Sequence, residues 1–243
     1  MTSPSMEVQY ILPDGTLTYD GMDLLQSLLS AAEATLSMDS LSDVVITTPS
    51  ARQVLRYDGT NWVNSASGER VLLATRTAAA SASLDFTEFN SAVYRWYEFE
   101  VEDLLPATDD VALLFRTSTN AGVSYDSGAA DYQWSLNGMN GTAAASSGSA
   151  GAGSIVLTSN TAGARVGNAA GEYGVTGLVR LFNASTTTAT DVQSTLNYMN
   201  TATAYSSYVG AGARVAAADV DAVRFLFNGS NTTSGTIRMF GIV

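Results

Sequence analysis

The chain has 243 residues and a formal net charge of -12, it contains no histidine or cysteine, and all 11 of its basic residues are arginines. These absences exclude a cysteine or histidine nucleophile, a Ser-His-Asp triad, a lysine Schiff base and a zinc site built from cysteine and histidine. Carboxylate chemistry and metal binding through oxygen ligands remain possible. The acidic balance argues against nucleic acid as a partner, because phosphate contacts require clustered arginine and lysine.

Charged residues form only 14% of the chain, well below the ~25% of an average globular domain. Small neutral residues take their place, and such a surface suits dense packing against other protein copies. The first residues lack the charged and apolar regions of a secretory signal, so we expect synthesis in a cytoplasm. No run approaches ~18 apolar residues, so we expect no membrane-spanning helix.

Residues 1–40 contain one predicted helix, with Asp20 as its N-cap. Its apolar residues follow the a/d spacing of a coiled coil, and they are Met22, Leu25, Leu29, Ala32 and Leu36. Leu24 and Leu28 widen this apolar stripe. A helix of roughly 17 residues is marginal alone in water, so the stripe must be buried. It packs either onto its own domain or against sister chains around a symmetry axis, as a trimer, and we carry the trimer forward.

Residues 41–69 are typical of a small β-hairpin. Its short β runs are Val44–Ile46, Val54–Tyr57 and Trp62–Val63. Pro49-Ser50 and Asp58–Asn61 supply turn residues, and Gly59 can adopt a positive φ. Tyr57 and Trp62 are placed to pack beside each other. The unit is too small to be stable by itself, so we expect it to depend on neighbouring chains.

The order of residues in this hairpin carries a resemblance. Leu41-Ser42-Asp43-Val44 is followed by Gln53–Gly59 and then by Trp62-Val63-Asn64. This pattern resembles a short connector of bacteriophage tail-fibre, spike and related virion proteins. There the connector lies between an N-terminal attachment or coiled-coil part and a C-terminal globular head. The resemblance implies three parts here: an attachment and oligomerisation segment (1–40), a connector (41–69) and a head (70–243).

Residues 70–243 have strand character almost throughout. The predicted strands are Val71–Thr77, Val93–Val101, Val111–Thr117, Tyr132–Leu136, Ile155–Thr158, Val175–Phe182, Ser194–Asn200, Tyr205–Gly212, Ala222–Phe227 and Thr236–Ile242. In the second strand Tyr97, Phe99 and Val101 face one way, and the residues between them face the other. Short strands with Gly, Asn and Ser turns predict a mainly β fold, an antiparallel sandwich of jelly-roll type. The closing strand also resembles the last strand of many phage receptor-binding heads.

One low-complexity stretch interrupts this pattern. Asn137–Ser154 consists mostly of Ala, Ser and Gly and has almost no side chain to bury. We predict a long loop, either mobile or packed at an inter-subunit contact where only small residues fit.

The carboxylates are the catalytic candidates that composition leaves. Glu98, Glu100 and Glu102 alternate along one strand and point to one face. They could hold Ca²⁺ or supply a glycosidase pair. The alternative is a solvated face, or pairing with arginines of neighbouring strands, and we favour this alternative. We therefore predict no catalytic residue, no metal ligand and no cofactor.

Aromatic residues beside Gly, Ser and Asp loops are the binding candidates, namely Tyr125, Tyr132, Trp134, Tyr205 and Tyr208. An exposed ring offers a flat apolar face on which a sugar can stack, and neighbouring polar groups can bind its hydroxyls. The competing interpretation is burial in the core, above all for Trp134, which lies on a predicted strand.

These observations together predict a phage virion structural protein of the tail-fibre or receptor-binding type. Its partners would be two sister chains, other virion proteins and a host-surface glycan, and its location would be the virion. One alternative is a head fibre, collar or decoration subunit without a receptor role. A second alternative is a carboxylate-based polysaccharide depolymerase, so the sequence leaves both a structural and an enzymatic possibility beside the main one.

Overall fold

A computed structural model describes residues 41–49, 53–66, 70–184 and 188–243. These residues are mainly β, as predicted, and their sheets pair almost entirely antiparallel. The predicted helix with Met22, Leu25, Leu29, Ala32 and Leu36 lies outside them. Within the described ranges, no helical segment has the length and apolarity that a bilayer crossing requires. The chain divides into two compact units, Met1–Ser67 and Gly68–Val243.

The described part of the first unit is a three-stranded sheet. Its strands are β1 (Val44–Val45), β2 (Gln53–Tyr57) and β3 (Trp62–Ala66), in the order β1-β3-β2. β2 and β3 form the predicted antiparallel hairpin, and β1 adds to β3 in parallel. Tyr57 and Trp62 stand opposite each other with ring centroids 5.6 Å apart, which confirms the predicted contact.

A carboxylate closes the turn of this hairpin. Asp58 Oδ1 accepts hydrogen bonds of 2.8 Å from the backbone N–H groups of Asn61 and Thr60. These bonds stabilise the charged form and hold the pKa of Asp58 below its ordinary value. Gly59, between Asp58 and Thr60, has a φ of 109°, which is the positive φ that the predicted turn requires.

The second unit contains two antiparallel sheets. Its strands are β4 (Arg70–Thr77), β5 (Leu84–Phe86), β6 (Trp96–Pro106), β7 (Leu113–Ser118), β8 (Tyr132–Asn140), β9 (Ala143–Ala152), β10 (Ile155–Val156), β11 (Val175–Phe182), β12 (Thr190–Met199), β13 (Tyr205–Arg214), β14 (Ala222–Phe227) and β15 (Thr232–Ile242). The large sheet has eight strands in the order β4-β15-β6-β11-β12-β13-β8-β9. The small sheet has four strands in the order β10-β7-β14-β5.

Aromatic rings join the two sheets into a sandwich. Phe99 of the large sheet lies 5.4 Å from Phe86, 6.4 Å from Phe115 and 5.3 Å from Phe225, measured between ring centroids. The latter three rings belong to the small sheet, and all four are buried. Their edge-to-face arrangement is the favoured one for packed aromatic rings. The inner faces of both sheets therefore share one core.

The predicted alternation of β6 is confirmed. Tyr97, Phe99 and Val101 point into the core, and the side chains between them point away from it. β11 and β14 have the predicted bounds, and along most of each strand buried residues alternate with more exposed ones. β5 was not predicted, since three residues are too few to show a period.

The low-complexity stretch forms a hairpin, so the predicted long loop is wrong. β8 continues to Asn140, and β9 runs back beside it from Ala143. Ala, Ser and Gly show no apolar period, but their backbones pair in a sheet as well as any others. β8 is held in the core by Tyr132, Trp134 and Leu136, and β9 follows through the short turn at Gly141.

Candidate functional site

The face of the large sheet that points away from the core, here called the outer face, divides into two halves. On β4, β15, β6 and β11 it carries charged side chains in pairs. On β12, β13, β8 and β9 its outward side chains are mostly small or neutral. The two halves suit different roles. Charged side chains that are bonded to each other have no free hydrogen-bonding groups for a ligand, whereas neutral side chains without partners do.

Glu98 is the centre of the charged half. Its Oε1 accepts a 2.9 Å hydrogen bond from Arg70 Nε on β4, and its Oε2 accepts one of 2.9 Å from Arg180 Nε on β11. Only 7% of the residue is exposed. Pairing with an arginine of a neighbouring strand, the alternative favoured from the sequence, is therefore found at this glutamate in its bond with Arg180, while Arg70 reaches it from β4 across β15.

The other two glutamates of β6 are paired as well. Glu100 lies 3.5 Å from Arg70 Nη2, and Glu102 accepts a 2.7 Å hydrogen bond from Arg238 Nη1. In the described part of the chain, no group of three acidic side chains is arranged to hold a metal ion. The row of glutamates thus connects β6 through ion pairs to β15 and β11 beside it and to β4 beyond β15.

A shallow groove of about 280 Å³, here called the outer groove, lies mainly on the neutral half and extends to β11 at its border. Ligand pockets measure roughly 300–1,000 Å³, so it is small for an enclosed site and suited to a ligand that lies along the surface. The side chains that line it are Ser135, Asn137, Leu178, Arg180, Gln193, Thr195, Val209 and Ala211. They come from four adjacent strands, β11, β12, β13 and β8.

Strand register explains why this surface is concave. On β13, Ala211 stands between Gln193 of β12 and Ser135 of β8. Val209 stands in the same way between Thr195 and Asn137. Ala211 is much shorter than Gln193 on one side, and Val209 is shorter than Asn137 on the other, so these pairs leave a depression along β13.

The polar side chains of the outer groove are available to a ligand. Ser135, Asn137, Gln193 and Thr195 make no side-chain hydrogen bond to any residue in the ranges that the structure describes. Each can donate and accept hydrogen bonds. Arg180 at the rim is already held by Glu98. The outer groove therefore offers neutral donors and acceptors with little uncompensated charge.

One predicted aromatic residue lies on the same face. Tyr205 begins β13, is 60% exposed, and points to the same side as Val209 and Ala211 because alternate residues share a face. Exposed Met139 lies near it, opposite Ser207. Tyr205 is thus an apolar ring beyond one end of the outer groove.

Three predicted aromatics lie in the core, and we withdraw them as candidates because a buried ring has no free face. Tyr132 accepts a 2.8 Å hydrogen bond from Thr117 N and donates one of 3.1 Å to the carbonyl oxygen of Asp126. Tyr208 stacks on Tyr198 with centroids 6.1 Å apart. The Trp134 side chain is also buried.

Tyr125 lies away from the outer groove, in the loop that follows β7. The guanidinium of Arg224 stands 4.0 Å from its ring centroid, and Arg224 also forms two hydrogen bonds with Asp85. Burial, and secondarily the charge of Asp85, raise the pKa of Tyr125 to about 12. Its ring is occupied by a contact within the second unit and is not brought together with Tyr205.

Sequence reasoning missed the residues that line the outer groove. Asn137 fell in the stretch predicted to be a loop, and Gln193 lies just before the predicted start of its strand. The alternation of Asp191, Gln193 and Thr195 with buried residues was the signal that could have placed β12 correctly.

Comparisons with protein-family models, with curated proteins and with solved structures find no match to this chain.

Proposed function

We propose that this chain is a phage virion structural protein of the tail-fibre or receptor-binding type, and that the outer groove attaches its head to a host-surface glycan. The observation that carries the proposal is the set of unpaired neutral amide and hydroxyl groups around a concave floor. Glycans are rich in hydroxyl groups, which such side chains bind by hydrogen bonds. Tyr205 adds a ring on which a sugar can stack.

The resemblance of residues 41–64 to the virion connector supports the structural part of the proposal. A trimer assembled through residues 1–40 would carry three heads, and several weak sites on one stalk gain affinity through effective concentration. The proposed location is the virion. The jelly-roll description of the head stays a prediction, supported by two antiparallel sheets that share one core.

The two alternatives make different demands on the outer face. A head fibre, collar or decoration subunit would have no need of unpaired polar groups in a groove. A depolymerase would need two free carboxylates at a cleft, whereas both oxygens of Glu98 are bonded to arginines. The ion pairs therefore favour a proposal without catalysis.

Binding of the full chain to an array of bacterial surface polysaccharides tests the proposal. We expect the double variant Asn137→Ala with Gln193→Ala to bind about tenfold more weakly, because each lost hydrogen bond is worth about 0.5–1.5 kcal/mol. Asn228→Ala, at an exposed turn between β14 and β15, is the matched control and should bind like the unchanged chain.

Two outcomes would count against the proposal. If the chain binds no polysaccharide and does not compete with phage adsorption, a structural subunit without a receptor role is favoured. If it releases new reducing ends from a polysaccharide, and Glu98→Gln abolishes that release, the depolymerase is favoured. Equal circular dichroism spectra of all variants would show that a loss of binding is not a loss of fold.

A further inference from the structure

The two sheets of the head have four edge strands, and three of them are protected against pairing with another chain. In the small sheet, β5 and β10 are only 3 and 2 residues long. In the large sheet, β4 carries the charged side chains Arg70 and Arg76. Short edges and edge charges are the means by which proteins prevent unwanted strand pairing.

The fourth edge, β9, lacks both forms of protection. It is 10 residues long, reads AAASSGSAGA, and contains neither charge nor proline. Its register with β8 is regular from Ala143 to Ser149, and a bulge follows before Ala152. In the described part of the chain, the backbone groups of 143–148 bond to no strand other than β8. One side of this regular segment therefore offers free N–H and C=O groups.

The far end of β9 is covered, which limits the open edge. An added Cβ at Gly153 would lie 2.6 Å from the carbonyl oxygen of Ser127, and one at Gly151 would lie 3.2 Å from that of Ala129. The loop before β8 thus runs close to the bulge. The open edge consists of Ala143–Gly148, where alternate residues are exposed.

Charge identifies the partner that this edge can accept. The chain carries -12 overall, so two copies repel each other over most of their surfaces. Residues 132–164 contain no charged side chain, and the β8–β9 hairpin lies within them. Two copies can approach there without bringing like charges together. Each would also supply a strand of small side chains, so the backbones can meet without obstruction.

We propose that β9 pairs antiparallel with β9 of a second copy across a two-fold axis. Such a contact is isologous, so one edge strand is sufficient to form a closed dimer. It would join the two large sheets into one continuous sheet and satisfy the free backbone groups of both edges. The inference depends neither on the glycan proposed for the outer groove nor on the helix predicted in residues 1–40.

The mass of the full chain in solution is the first test. We expect the double variant Ala144→Lys with Ser146→Lys to have half the mass of the unchanged chain, because the proposed contact joins copies that residues 1–40 do not already hold together. Thr75→Lys with Thr233→Lys makes the same change of charge at exposed positions of β4 and β15 and should leave the mass unchanged. Equal masses for the unchanged chain and the β9 variant would overturn the proposal.

Cross-linking provides a second test that does not depend on disrupting the contact. The chain has no cysteine, so a disulfide formed by a single introduced cysteine must join two copies. We expect one of Ala144→Cys, Ser146→Cys and Gly148→Cys to form a dimer much faster than Thr75→Cys, because directly opposed residues of antiparallel strands have Cβ atoms about 4.5–5.5 Å apart. If none of the three variants forms the disulfide-linked dimer faster than Thr75→Cys, the proposal is wrong. This would be the result if β9 received a strand of a different protein instead.

Discussion

Glu98 on β6 accepts a 2.9 Å hydrogen bond from Arg180 on β11, and the two side chains lie on the outer face of the large sheet. The bond joins two adjacent strands at a point where Arg70 bonds the second carboxylate oxygen. A carboxylate this well covered is stable only while its charge is compensated, because removing a charge from water is costly.

Replacement of this glutamate should lower stability. We expect Glu98→Gln to reduce the free energy of unfolding by about 1–3 kcal/mol, towards the lower end because both arginine side chains are partly exposed. Urea denaturation measures the change. Glu102→Gln, whose side chain is 58% exposed, should cost less than about 1 kcal/mol. Equal losses for the two variants would contradict a structural role specific to Glu98.

The hydroxyl of Tyr132 provides a test of its assignment to the core. Tyr132→Phe leaves the buried N–H of Thr117 without its acceptor, so we expect a loss of about 1–3 kcal/mol in the free energy of unfolding. Tyr205→Phe, at an exposed ring, should change it by less than about 0.5 kcal/mol. Thermal and urea denaturation should both show the larger loss of stability for Tyr132→Phe. A larger loss for Tyr205→Phe would contradict the assignment of Tyr132 to the core.

Gly177 is required by a close approach of backbones between β11 and β12. Its φ is 144°, and an added Cβ would lie 2.1 Å from the carbonyl oxygen of Thr195. We expect Gly177→Ala to be destabilising by at least about 1 kcal/mol more than Gly229→Ala, whose φ of 74° is also positive but whose Cβ would meet nothing. The difference combines the steric clash with the higher cost that a φ of 144° imposes on a residue with a Cβ, and equal melting temperatures would exclude both effects.

Buried tyrosines should make the second unit sensitive to alkaline pH. Burial raises the pKa of Tyr125 to about 12 and also raises the pKa values of Tyr97, Tyr132 and Tyr198. In the unfolded chain these phenols lose their protons near pH ~10, while the folded chain keeps them. Unfolding then releases protons, so the free energy of unfolding falls as pH rises above about 10.

Urea denaturation at about pH 8 and about pH 11 measures this fall. Tyr125→Phe removes one group whose proton is lost more easily from the unfolded chain, so the fall should be smaller in this variant. A fall of the same size in the variant and the unchanged chain would contradict the contribution of Tyr125.

The strands with apolar alternation were predictable from the amino-acid sequence. β11 and β14 have the predicted bounds, and the hairpin of β2 and β3 forms at the predicted turn, since Asp58 and Gly59 have local chemistry that does not depend on the rest of the chain. β9 could not be found in this way, because its side chains carry no period and its place depends on pairing with β8.

Local patterns therefore determined which segments are strands and which faces of those strands are apolar. The tertiary structure decided which polar and aromatic side chains are available to a ligand. Tyr132 and Tyr205 both lie at strand starts beside loops, yet one is buried and the other is 60% exposed. The difference arises because burial depends on which sheet face a neighbouring element covers, and that follows from strand order rather than from adjacent residues. The outer groove has the same origin, since Asn137 and Gln193 are brought near each other only by the pairing of β12, β13 and β8.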